Sequence, residues 1–380
     1  MGRFHGLDAC RAAAMLLGLF FHGAISFLDV SPPFGWAIRD RSTSIFVDIF
    51  VFVCHTFRMP VFFLLGGFFG RLLHEKLGTA AFLRHRARRL LLPFVVILVP
   101  LMASLFLLWK WGESRQPRAV PMTWENTPLS PGHLWFLYYL MMILAGLTAV
   151  SSIGRSAPLS WLDRLIRALV RFRVAIFALA IPTAATLYPM EFLSADTPIT
   201  FVPQPRILAY YFVFAGFGWL LHRQTGLVEE LGRWLWIPLV VALAVFVPFG
   251  MALEKVVQKR PFSAPEWWGA LYLGALFGWA LVLLFLGAFV KWGSRPRTWV
   301  SYLSDASYWC YLVHLPVVVA LQILVADLAL PGVLKYAIVM TGTLAACLGS
   351  YHAFVRYTFI GAALNGPRQR PSLSAAAAID

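Results

Sequence analysis

Charge is what this sequence has least of. Only 13% of its 380 residues are Asp, Glu, Lys or Arg, about half the share in an ordinary soluble domain. Acidic residues are the scarcer kind, 17 against 32 Lys and Arg, which leaves a formal net charge of +15. Cysteine is scarce as well. Cys10, Cys54, Cys310 and Cys347 form no CxxC and lie in or beside apolar segments. They read as free and structural, with no disulfide framework and no metal site. There is no internal repeat and no stretch that reads as a soluble domain. What fills the chain is apolar: 60% hydrophobic residues and a mean hydropathy of +0.73. A soluble enzyme is excluded, and a polytopic membrane protein fits. The excess positive charge sits in short segments between apolar runs. That is the pattern of membrane topology, not of a nucleic-acid surface.

Ten apolar runs are long enough to be spans, at roughly 9–28, 45–70, 90–109, 133–152, 173–190, 206–222, 233–252, 267–290, 303–326 and 334–356. The run at 173–190 is interrupted by Pro182 and Pro189. The sequence therefore predicts an all-α fold with about ten transmembrane helices. The loop 71–89 holds Arg71, Lys76, Arg84, Arg86, Arg88 and Arg89, and 153–173 holds Arg155, Arg164, Arg167, Arg171 and Arg173. The alternate loops are poorer: 29–44 has two basic residues, 110–132 three and 191–205 none. Positive-inside places both termini in the cytoplasm. The outer segments are rich in Pro, Trp and acidic residues, as at Trp124-Glu125-Asn126 and from Glu191 to Pro205. Arg3, His5 and Arg11 before an apolar run imitate a signal peptide, but no small-residue cleavage site follows, so the segment is expected to be retained. One membrane domain is expected over 1–360, then a disordered cytoplasmic tail over 361–380.

The first span carries a polar stripe. Asp8, Arg11, Met15, Gly18, His22 and Ser26 fall on one helical face. Arg11 and His22 are eleven residues apart, three turns plus about 20°, and so about 16 Å apart along the axis. In the second span Asp48, His55 and Arg58 also share a face. Counted from opposite surfaces, His22 and His55 lie at similar depth near the midplane, beside Arg58. Pro60 and the Gly66-Gly67 pair are expected to kink or loosen the helix below; close helix packing is the plainer reading of the glycines. Ionisable groups at such depth point to function. A lone membrane histidine is otherwise an interhelical hydrogen bond, and Arg58 a counter-ion for Asp48.

Several stretches resemble a known family. Leu7-Asp8 to Arg11, with ten residues between Arg11 and His22, is similar to the Arg-x10-His signature of the membrane-bound acyltransferase-3 family. His55-Thr-Phe-Arg58-Met59-Pro60 through Gly67 resembles the branch of osmoregulated periplasmic glucan succinyltransferases. So do Arg88-Arg89-Leu-Leu-Leu-Pro93, and His133-Leu134-Trp135-Phe136-Leu137. Ser307-Tyr308 through Tyr311-Leu312-Val313-His314-Leu-Pro316 resembles a late Ser-Tyr…Tyr-Leu-x-His-x-Pro element of these proteins. Many members carry an Asp before Leu-Phe-Phe and a Ser-Gly-Phe after it; Pro60 and Gly66 stand there in this chain.

The resemblance implies a bacterial inner-membrane enzyme that moves an acyl group, succinyl by branch, from cytoplasmic acyl-CoA to a periplasmic glucan hydroxyl. Acyl-CoA is a co-substrate, and no permanently bound cofactor is expected. The expected catalytic set is His22 as general base, with His55, Arg58 and Asp48. A donor from His55, Arg58 or His314 would face the oxyanion; Arg58 could instead pair with a succinyl carboxylate. Arg11, Asp8, Arg88, Arg89 and His314 are the expected acyl-CoA set, since guanidinium forks suit phosphate. His133, Trp135 and Tyr138, beside Tyr139, are the expected acceptor set, against the plainer reading of an interfacial aromatic belt. His352 and Arg356 read as anchors. The expected partners are acyl-CoA, a glucan or other polysaccharide and the bilayer, with a homo-oligomer left open. An O-acetyltransferase of another surface polysaccharide and a glycan or small-anion transporter are the alternatives.

Overall fold

A computed structural model describes residues 4–30, 35–117, 123, 130–153, 160–190, 192–198 and 200–366. Trp124-Glu125-Asn126, Arg155, Glu191 and the tail from 367 lie outside the described residues. The chain forms α1 (His5–Ala24), α2 (Ile45–Leu77), α3 (Thr79–Arg115), α4 (Trp135–Ile153), α5 (Ser160–Arg171), α6 (Ala175–Leu187) and α7 (Pro205–His222). It continues through α8 (Gly226–Arg233), α9 (Trp236–Val257), α10 (Ala264–Trp292), α11 (Thr298–Val325), α12 (Gly332–Ser350) and α13 (Phe359–Asn365). No strand occurs among the described residues. Each expected span holds a helix, and eight helices are long and apolar enough to cross a membrane. The other two fall short for different reasons. α6 has only 13 residues, and α7 is diluted by Arg206, Tyr210, Tyr211 and His222. The protein is an all-α polytopic membrane protein.

The basic loops are more helical than expected. α2 runs on to Leu77, and α3 starts two residues later. The turn between them is made at Gly78, whose φ of +73° favours glycine. The segment 153–173 contains the amphipathic α5, which buries Ile166 and Val170 and exposes Arg164, Arg167 and Arg171. Packing also continues past 360: Leu364 of α13 is buried and Asn365 Nδ2 donates to the Asp305 carbonyl at 2.8 Å. The first and last described helices thereby meet one end of the bundle, where Gly6 packs on the α10 backbone at Phe289. This is the end that carries Arg84 to Arg89, Arg295 and Arg297; it is called the basic end below.

In lipid there is little hydrophobic drive between helices, so close approach and polar contacts decide which helices pair. The α2–α7 seam is built this way. A methyl on Gly67 would collide with the Ala215 carbonyl, and one on Gly218 with that of Leu64. Gly66-Gly67 is thus a packing feature, and α2 continues through Pro60 without a break. The outward faces of α3 and α9 expose Val95, Val96 and Val99, and Leu243, Val247 and Met251, as a lipid-facing surface should. All four cysteines are free and buried.

At the opposite end the segment 35–44 folds over the helix ends. Lys335 Nζ lies 2.8 Å from Asp40 Oδ2 and 2.8 Å from the Ala326 carbonyl, with both side chains buried. Ser26 Oγ donates to the Ile38 carbonyl at 3.0 Å. Gln116 and Arg39 exchange two further hydrogen bonds. Removing one partner of a buried ion pair typically costs about 3–5 kcal/mol, because the other charge is left buried alone, so Asp40 and Lys335 each depend on the other to hold this cover.

Candidate active site

The α1 stripe faces inward as its spacing predicts, and α11 supplies the partner. His22 Nδ1 lies 2.9 Å from His314 Nε2. His314 Nδ1 lies 2.8 Å from the Tyr311 carbonyl and 3.1 Å from that of Cys310. A carbonyl only accepts, so a neutral His314 carries its proton on Nδ1 and presents a lone pair at Nε2. His22 must then donate from Nδ1, which leaves the lone pair of His22 on Nε2, facing away from the pair.

His133 joins this group, although its place at the start of the fourth span suggested the outer surface. Its Nε2 donates to the same Tyr311 carbonyl at 2.8 Å, and the Tyr311 hydroxyl donates to the His133 carbonyl at 2.7 Å. The His133 ring lies 4.9 Å from that of His314 and 6.3 Å from that of His22, centroid to centroid. Its Nδ1, left without a proton, is buried and has no hydrogen-bond partner.

α2 contributes His55 and Arg58. The Arg58 guanidinium lies 4.5 Å above the Phe21 ring and fits against Gly18, where a methyl would come within 2.6 Å of Nη1. The glycine on the stripe is what makes room for the fork. Arg58 Nε is buried and unpartnered. Its charge acts on His22, His55, His133 and His314. The His55 ring stacks on the other side of the site against Phe21, at 6.1 Å, and its Nε2 donates to the Ala195 carbonyl at 3.3 Å. His22, His55, Arg58 and His133 all keep partial exposure, whereas Leu19 and Phe63 nearby have none. Among the described residues no carboxylate pairs with this group of three imidazoles and a guanidinium around His22. The site is therefore suited to negative charge.

Two residues that the sequence did not single out close the side away from the basic end. The Trp36 ring lies nearly parallel to that of His22, at 6.4 Å and 3°. Its indole Nε1 donates to Gln322 Oε1 at 2.8 Å, and Gln322 Nε2 donates to the His22 and Gly23 carbonyls. A glutamine in an apolar run eight residues beyond His314, about 80° around the helix from it, was the available signal for Gln322.

Other expected residues stand apart. Asp48 sits in the first turn of α2, where its carboxylate accepts from the Asp29 and Val30 amides at 3.2 Å each. Ten residues of helix, about 15 Å, separate it from Arg58. It shares the helix face but not the depth. Trp135 is buried among Phe63, Tyr139 and Tyr211. Tyr138 packs on Phe94 and donates to the Thr200 carbonyl at 3.1 Å. Neither lines the imidazole group, because α4 turns these faces toward α2, α3 and α7.

At the basic end Arg11 is 3.4 Å from Asp8, donates to Ser304 Oγ at 3.0 Å, and lies over Phe69. Arg86 and Arg89 of α3 lie near Arg11. Arg86 donates to the Phe69 carbonyl at 3.2 Å, and its Nε is buried without a partner. Arg88 points outward, exposed. Because α3 begins at Thr79, the inward face reads 82, 86, 89 and 93, so Arg86 takes the place expected of Arg88.

A family model described as an acyltransferase domain matches residues 4–352. Glucans biosynthesis protein C of Escherichia coli strain SMS-3-5 / SECEC and that of strain K12 are each 26% identical to this chain over 150 residues. That match covers 37% of this chain and 37% of each relative, so the chain spans little more than a third of the curated relatives' length. No solved structure matches the chain.

Proposed function

The chain belongs to the acyltransferase-3 family, as a multi-pass bacterial membrane protein, and from that premise we propose that it transfers an acyl group from cytoplasmic acyl-CoA to a hydroxyl of a periplasmic glucan, with His22 as general base. The observation that carries this reading is the 2.9 Å contact of His22 with His314 beside an Arg58 that has no carboxylate partner among the described residues. Succinyl is the preferred acyl group, on the strength of the motifs shared with the glucan succinyltransferase branch. The glucan acceptor is supported by the names of the curated relatives.

A sugar hydroxyl attacks a thioester only as its proton leaves. That proton goes to His22 Nε2 while the acceptor oxygen bonds to the thioester carbonyl carbon. His314 Nε2, accepting from His22 Nδ1, holds the ring in this tautomer and stabilises the imidazolium that forms, the role a carboxylate plays in a catalytic triad. The tetrahedral intermediate carries its charge on the former carbonyl oxygen. His55, His133 and His314 each commit their one proton to a backbone carbonyl, so Arg58 is the group left to donate to that oxygen. With a succinyl donor the same charge also favours the distal carboxylate. Collapse breaks the carbon–sulfur bond, and the leaving CoA thiolate takes the proton back from His22. His133 Nδ1 is free to accept from the acceptor hydroxyl and orient it. Arg11, Arg86 and Arg89 receive the diphosphate of CoA at the basic end, and Asp8 holds Arg11 in place. The pantetheine arm then spans the length of α1 between Arg11 and His22, about 16 Å.

The test is a donor comparison with purified protein in vesicles. Succinyl-CoA or acetyl-CoA is supplied with a linear β-glucan, and free thiol and glucan mass are followed together. Thiol release matched by a succinyl mass increment is expected. An acetyl increment alone would retain the chemistry and overturn the donor. Passage of glucan across the vesicle with no thiol release would replace the enzyme with a transporter.

A further inference from the structure

Beside the Arg11–Arg86–Arg89 group, a shallow recess of about 10 Å3, with exposed arginines at its mouth, lies between α1 and the turn that joins α10 to α11. His5, Asp8, Arg295, Arg297, Ser301 and Ser304 line it. Among the described residues neither Arg295 nor Arg297 has a salt-bridge partner. The one carboxylate in the pocket, Asp8, leans toward Arg11 at 3.4 Å. The pocket therefore offers two uncompensated guanidiniums, an imidazole and hydroxyl groups, a set that suits phosphate. It adjoins an apolar cleft of about 240 Å3 that shares Arg295, Arg297 and Val300 and adds Phe289, Trp292 and Trp299. Both indoles are exposed, at 67% and 57%. A flat aromatic group could stack there while a phosphate attached to it reaches the arginines.

We propose that this pocket is a second anion subsite that takes a phosphate monoester, the ribose 3′-phosphate at the nucleotide end of the acyl-CoA donor, with the adenine in the adjoining cleft. The inference rests on acyl-CoA being the donor. The geometric reason is that the basic end has two cationic loci and CoA has two phosphate loci. Arg11 stands between the two loci, bonded to Ser304 on the pocket's wall. On its α3 side, Arg86 and Arg89 receive the diphosphate, which is continuous with the pantetheine and so must lie at the Arg11 end of the path to His22. The 3′-phosphate branches from the ribose away from that path, and the Arg295–Arg297 pocket lies to the side. The same arginines face the membrane surface, where an anionic lipid headgroup presents a phosphate diester; a monoester carries more charge and no second ester chain.

The test compares acyl-CoA with the matching acyl-3′-dephospho-CoA in lipid-free detergent, on the full chain and on an Arg295→Gln/Arg297→Gln double variant. The wild-type protein is expected to favour the 3′-phosphorylated donor roughly tenfold in kcat/KM, as hydrogen bonds to a charged group allow. In the double variant that preference should fall to near one. An unchanged preference would overturn the assignment. So would a variant whose preference is intact but whose response to vesicles containing phosphatidylglycerol, against phosphatidylcholine alone, is lost; the pocket would then serve lipid. Calorimetry with adenosine 3′,5′-bisphosphate separates this inference from the reading beneath it. Wild-type binding that the double variant loses, with no thiol release from either donor, would retain the subsite and remove the acyltransfer reading. Equal binding by both proteins would remove the subsite.

Discussion

Arg11 and Arg58 face the same stripe of α1, yet the fold treats them in opposite ways. Arg11, at the basic end, is shared among the Asp8 carboxylate, the Ser304 hydroxyl and the Phe69 ring. Arg58, a turn below the paired imidazoles, rests on Gly18 and the Phe21 ring with Nε buried and bare. A guanidinium with a carboxylate beside it has its charge largely answered within the protein and its geometry fixed. One held by a ring face and a gap left by glycine keeps its charge for something that arrives. Leaving such a group uncompensated at depth is costly, so the contrast separates a residue that holds a substrate in place from one that meets the charge formed in reaction.

The sharpest way to break this contrast is to truncate both. Arg58→Ala should lower kcat by about 10²–10³-fold with either donor, the usual effect of losing one oxyanion donor. Arg11→Ala should act mainly on KM, as loss of uniform binding does. Steady-state thiol release at varied donor concentration reads both, and a shared loss of kcat would erase the distinction. A somewhat smaller effect, roughly 10²-fold, is expected of His314→Ala, which removes the acceptor that orients His22. His314→Gln, whose amide oxygen can accept from His22 Nδ1, should recover part of it; no recovery would mean that His314 acts by packing rather than by its lone pair. The smallest effect lies at the basic end. Arg86→Ala should raise KM for acyl-CoA about tenfold, as loss of a charged hydrogen bond does, while the exposed Arg88→Ala should change it by less than about twofold. The reverse order would place the inward face of α3 one register away from 82, 86 and 89.

The spans were legible because twenty apolar residues in a row have few other uses, and the α1 stripe was legible because helical spacing alone puts Arg11, Gly18 and His22 on one face. His55 and Arg58 could be matched to His22 by depth. His133 could not. Counting from the start of an apolar run puts it at the surface, but the start of the fourth span packs against Tyr311 of α11 and Leu101 and Met102 of α3, so His133 is already inside. The same counting misled for Trp135 and Tyr138, which pack into the aromatic core. Arg86 was hidden behind the reading of 71–89 as a loop; once Gly78 is seen as the single break, helical spacing selects Arg86 and Arg89 and turns Arg88 outward. Asp48 shows the limit of sharing a face: the face was right, but seven residues set it about 10 Å beyond His55 along the axis. Gln322 could be noticed as a lone amide in an apolar run but not placed, and Trp36 was out of reach, because nothing local ties a residue of an irregular segment to one in the eleventh helix.

The measurement closest to the centre is acyl transfer by a His22→Ala protein of unchanged elution profile and unfolding temperature, followed by thiol release and glucan mass together. With His22 Nε2 as the base, transfer should fall by about 10²–10⁴-fold while acyl-CoA still binds at the basic end. Transfer at the wild-type rate would contradict that role and leave the His22–His314 pair as a structural contact.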